Sequence, residues 1–136
     1  MFRSLLLTAL CLSLSACAAD AAVVSLRPPP DATTVDVDGY CMPVTILHTD
    51  DALWMGIQAG PGHQMCEYAH APGCLLGFTI LRPDSAVVLT TGHDYRGVTD
   101  ASTIAHELHH VGLYCETGDS DHDHVDPSWG TPEFPL

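Results

Sequence analysis

The stretch Thr103-Ile104-Ala105-His106-Glu107-Leu108-His109-His110-Val111-Gly112 decides how the rest of the chain is read. Its apolar residues Ile104, Ala105, Leu108 and Val111 recur at helical spacing, and Thr99 or Asp100 can cap a helix that begins near Ala101. Gly112 marks its expected end. On such a helix His106 and His110 stand one turn apart on one face and can present two imidazole nitrogens to one metal ion. Glu107 is one step round from His106, close enough to reach a metal-bound water and not the metal itself, which is the placement a general base needs.

His106-Glu107-x-x-His110 resembles the defining signature of the zincin metallopeptidases, and the resemblance is specific across residues 103 to 112. It implies an α+β domain in which a small sheet packs on a zinc-binding active-site helix. It also implies an edge strand that binds an extended peptide or protein substrate by adding it to the sheet, and Ala86 to Thr91 is the expected edge. The subfamily patterns depart from this chain. Leu113 stands at the metzincin glycine, Glu116 at its third histidine, and no methionine follows Met65. The downstream glutamate of the gluzincins has a counterpart only in Glu133, between Pro132 and Pro135, a poor place for a ligand helix.

A closing histidine from Asp119-Ser120-Asp121-His122-Asp123-His124 fits best, because zinc prefers imidazole and the chain passes back over the metal after Gly112. The expected ligands are therefore His106, His110 and His122, with His124 next and Glu116 and the neighbouring aspartates behind. Three protein ligands leave the fourth tetrahedral position to water. Glu107 would take that water's proton, and peptide hydrolysis is the leading reaction. Tyr95, Tyr114 and His109 are candidates for oxyanion support, although His109 reads more simply as a solvent-facing helix residue. His48, His63, His70 and His93 are scattered and read as structural or exposed.

The N-terminus points to export. After Arg3 the run Leu5 to Leu14 is a short apolar segment, below the length of a membrane span and flanked like a secretory signal. It ends in Leu14-Ser15-Ala16-Cys17, which resembles the lipobox of bacterial lipoproteins and implies residues 1–16 as a signal peptide and Cys17 as the lipidated first residue. A plain secretory signal cleaved near Ala16 or Ala19 is the alternative. Ala18 and Ala19 lack the aspartate that, by the same resemblance, favours inner-membrane retention, so an outer-membrane anchor in the cell envelope is expected. Residues 17–33 contain Pro28-Pro29-Pro30 and read as an extended tether, and residues 34–136 as the domain.

Composition bounds the remainder. The chain has 136 residues, enough for one small domain after the signal and tether, and a formal net charge of −13 with no lysine. So acidic a surface repels phosphate backbones, which excludes nucleic acid as a natural partner. With Cys11 in the signal and Cys17 as lipid acceptor, Cys41, Cys66, Cys74 and Cys115 remain, an even set that fits two disulfides in an oxidising compartment. Three pairings are possible, and Cys66 with Cys74, closing a short Pro/Gly-rich loop, leaves Cys41 to meet Cys115. A thiolate zinc site is disfavoured by the absence of Cys-x-x-Cys spacing.

Val35 to Val37, Tyr40 to His48, Leu75 to Leu81 and Ala86 to Thr91 read as strands, the last two joined as a hairpin by Arg82-Pro83-Asp84-Ser85. Ala52 to Gln58 is short, apolar and ambiguous. The chain after Gly112 is polar and aperiodic. Two further function classes fit the same residues: a non-catalytic metal-binding lipoprotein whose histidines and aspartates sequester an ion, and an envelope interaction factor in which the motif is accidental.

Overall fold

The computed structural model describes residues 27–60, 63–66, 74–121 and 123–129. The expected signal peptide and Cys17 lie outside them. The architecture is α+β: a mixed four-stranded sheet, two helices and two disulfides among the described residues. The elements run β1 (Thr33–Val37), β2 (Val44–His48), α1 (Ala52–Ala59), β3 (Gly77–Leu81), β4 (Ala86–Thr90) and α2 (Asp100–Thr117). The sheet order is β1-β2-β4-β3, with β2 and β4 parallel and both outer pairings antiparallel.

The parallel pair forms the centre because its residues are apolar on both faces. Val44 and Ile46 of β2 and Ala86 and Val88 of β4 point to one side, where they pack with Val111, Ile104 and Leu108 of α2. Leu89 points to the other, where it packs with Ala52 and Met55 of α1 and with Met65, Phe78 and Ile80. The sheet is therefore sandwiched between the helices, with α2 alone carrying the histidine motif.

Three expectations change here. The second strand begins at Val44 and not at Tyr40, because Gly39 turns the chain at φ +99° and Pro43 offers no N–H to a ladder. Ala86 to Thr90 is an inner strand paired on both sides, so it cannot be the substrate edge; the described edges are β1 and β3. Gly112 does not end the motif helix. The helix runs on to Thr117 and stops at Gly118, whose φ of +79° makes the left-handed cap and whose N–H bonds the Tyr114 carbonyl. A mid-helix glycine costs about 1 kcal/mol. Continuing past it buries Leu113 and carries Cys115 to Cys41, which offsets that cost.

At its other end α2 is capped by Thr99, whose side chain accepts from the Ser102 N–H, with Asp100 in the first turn. Gly77 sets how closely the helix approaches the sheet: a Cβ there would stand 2.8 Å from both the Leu89 carbonyl oxygen and Thr103 Cγ2. The Cys41–Cys115 bridge ties the entrance of β2 to the last turn of α2, and Cys66–Cys74 staples the segment before β3. Two disulfides point to an oxidising compartment. No described helix is long and apolar enough to cross a membrane.

Candidate metal centre

His106 and His110 project from one face of α2 with their ring centroids 5.1 Å apart. The third ring is that of His124, 5.0 Å from each of the others, and one ring nitrogen from each of the three lies within 4.8 Å of the other two. Nε2 of His124 is 3.1 Å from Nε2 of His106. These three histidines are close enough to hold a metal ion. His122 lies outside the described residues, as does Glu133. Glu116 is exposed in the last turn of α2 and takes no part in the cluster.

His110 is 4 % exposed, and its Nδ1 sits 2.6 Å from the Ser120 carbonyl oxygen. A carbonyl only accepts, so Nδ1 carries the proton and Nε2 is left with the lone pair that a metal needs. Burial, followed by the neighbouring rings of His110, His124 and His109, lowers the pKa of His106 to about 4, which keeps that ring neutral near pH 7.

His124 is delivered by a strap that folds back from Gly118, and Asp121 is its knot. One carboxylate oxygen accepts from the Val125 N–H, and the other accepts from the Asp126 N–H and from the indole N–H of Trp129 at 2.6 Å. The Asp121 carbonyl accepts from the His124 N–H. Asp121 and His124 both adopt left-handed backbone, at φ 52° and 54°, a conformation that Asp and His enter more readily than most residues. Farther on, Asp126 accepts from the N–H and hydroxyl of Ser128, and the Ser128 oxygen lies 2.7 Å from Nε2 of His109. His109 is therefore a half-buried anchor for the strap and not a solvent-facing residue.

Glu107 turns from the histidines towards the sheet. It is 7 % exposed, and burial raises its pKa to about 7 against the lowering effect of a hydrogen bond from Thr79 on β3. Thr79 Oγ1 is 2.8 Å from Glu107 Oε2 and 3.1 Å from the Glu107 carbonyl oxygen. One hydroxyl proton cannot serve both fully. With the carboxyl protonated it donates to Oγ1, which donates to the carbonyl; with the carboxylate ionised the hydroxyl turns to Oε2. Thr79 can follow Glu107 through both protonation states.

Thr79, Ser128 and Trp129 carry no motif signal, while Asp121, one of the aspartates ranked behind the histidines as ligands, bonds the strap instead. Trp129 is 6 % exposed and its ring lies 4.4–4.8 Å from the rings of His106, His109, His110 and His124. A large aromatic in a largely polar tail is a further cue that the tail packs back. Tyr95 donates its hydroxyl to the Cys66 carbonyl in the stapled segment. His48 and His93 engage Thr90 and Asp50 at the far end of β2 and β4, apart from the three-histidine cluster. No family model matches the chain, and no curated protein or solved structure matches it either.

Proposed function

We propose that the chain is a zinc-dependent hydrolase, a small metallopeptidase of the cell envelope in which His106, His110 and His124 hold the ion and Glu107 is the base. The observation that carries this reading is the convergence of three imidazoles beside a buried carboxyl on the next helix position. The donor set fits zinc. Two nitrogens about 2.0–2.1 Å from a tetrahedral zinc stand roughly 3.4 Å apart, close to the 3.1 Å between His106 and His124. Among the described residues no fourth histidine, cysteine or carboxylate joins the three, as a catalytic centre requires.

Zinc bound there supplies Lewis-acid polarisation of a carbonyl and lowers the pKa of water. The protein supplies the rest. Glu107, poised at about 7, accepts a proton from the attacking water and returns it to the leaving amine, while Thr79 stabilises the carboxylate before the first transfer and after the second. β3 carries Thr79 and is an edge of the described sheet, so an extended peptide paired with it would run past Glu107. This edge replaces Ala86 to Thr90 in the substrate role. Leu14-Ser15-Ala16-Cys17 and the two disulfides support a lipid-anchored protein of the outer membrane facing the periplasm.

Incubating the purified mature protein with a defined peptide mixture, with and without added zinc and chelator, tests the reading. Chelator-sensitive cleavage that zinc restores supports it, and bound zinc with no cleavage by wild type would favour a metal-sequestering lipoprotein.

A further inference from the structure

The two flanks of the histidine pair differ. At 100° per residue, Glu107 lies on one side of the His106–His110 face and His109 lies at the mirror position on the other. Glu107 is covered by Thr79 of β3, and His109 by Ser128 and Trp129 of the strap. The histidine pair therefore has a flank covered by the sheet and a flank covered by the strap.

Trp129 occupies a defined place on the strap side. The ring centroids of His106, His110 and His124 are 5.1, 5.0 and 5.0 Å apart, and the Trp129 ring lies 4.7, 4.8 and 4.5 Å from them. Four points so spaced form a near-regular tetrahedron, which puts the indole on the axis through the middle of the imidazole triangle. An ion held by one nitrogen from each ring would sit near the middle of that triangle, with the indole to one side of it. The contact with His109, 4.4 Å between rings, shows which side the indole takes. Asp121 fixes it there through the indole N–H.

Resting on the metal-centre reading above, we propose that Trp129 is a positioning residue that seals the strap face of the three-histidine site, so that an exogenous ligand can join the metal only from the Glu107 face. The indole has no lone pair to offer a metal, and its bulk leaves no room for water on its side. It gives the centre a single open position and aims that position at the base. A site open on both faces would accept extra waters, expand its coordination and present its reactive water to Glu107 only part of the time.

Cobalt(II) substitution reads this directly, because four-coordinate cobalt absorbs several-fold more strongly in the visible than five- or six-coordinate cobalt. Wild-type protein should bind one cobalt with the intense four-coordinate spectrum and add azide at a single position. Trp129→Ala should keep the cobalt but lose several-fold in visible absorbance, and Trp129→Phe, which restores an aromatic wall, should recover the wild-type spectrum. An unchanged spectrum in folded Trp129→Ala would overturn the proposal. Should that variant not fold, the wild-type titration decides, since a second azide would contradict a single open face. No stoichiometric cobalt in the wild type would instead remove the metal centre itself, and the role of Trp129 with it.

Discussion

Thr79 and Glu107 join the edge strand β3 to the motif helix through a 2.8 Å hydrogen bond between hydroxyl and carboxyl. The contact links the proposed base to the proposed substrate strand, and its chemistry is testable from both ends. Thr79→Val keeps the shape and removes the hydroxyl. The bond favours the ionised carboxylate, so its loss should raise the Glu107 pKa and move the acidic limb of the pH–rate profile to higher pH. Denaturant titration should show a loss of about 1 kcal/mol. An acidic limb that stayed in place would mean that Thr79 does not tune the base.

The metal-free protein carries two opposed titrations in one helical turn. His106, at about 4 in the folded chain against 6.5 unfolded, binds fewer protons when folded, so its contribution to stability rises with pH through that window. Glu107, at about 7 against 4.5, binds more protons when folded, so its contribution falls as pH rises from 4.5 to 7. Glu107→Gln removes the falling part. In chelator, urea melts across this range should show the variant gaining stability over wild type as pH increases, and a constant difference between the two would contradict the burial of an acidic Glu107.

Gly77 should tolerate no side chain. Its Cβ would meet a backbone carbonyl at 2.8 Å, which cannot swing aside, and Thr103 at the same distance. Gly77→Ala is expected to cost about 1–3 kcal/mol by overpacking. It should also weaken metal binding, since the obstruction lies under the first turn of the helix that carries His106. Thermal denaturation and zinc titration of the same variant check both parts.

Much of this arrangement is legible in the residues, and what is not has physical causes. Apolar alternation and turn residues reveal the four strands, and an even set of cysteines with one short loop favours the observed pairing. Periodicity marks the motif helix but not its end: Gly112 and Gly118 look alike in sequence, and only the burial of Leu113 and the tie to Cys41 favour the later stop. Strand order is set by packing on two helices, which is why the hydrophobic run Ala86 to Thr90 reads equally as edge or centre. The strap is the least legible part. Its geometry rests on side chain to backbone bonds from Asp121 and Asp126, which have no period, so spacing alone cannot choose between His122 and His124.

Asp121 makes a prediction about that strap. Asp121→Asn weakens every bond made by the carboxylate and replaces one acceptor oxygen by a donor facing the N–H groups of Asp126 and Trp129. With His124 held less firmly, zinc affinity should fall about 10–100-fold, the range seen when a ligand's supporting partner is lost. Competition with a chromophoric chelator measures it. Wild-type affinity in the variant would show that the strap does not organise the site.

The central claim is that His106, His110 and His124 form one metal site, and competitive zinc titration of the wild type and single-histidine variants tests it most directly. The wild-type protein should bind one zinc per chain, and His106→Ala, His110→Ala and His124→Ala should each remove most of the affinity. Small and equal losses across the three variants, or an unaffected His124→Ala, would contradict it.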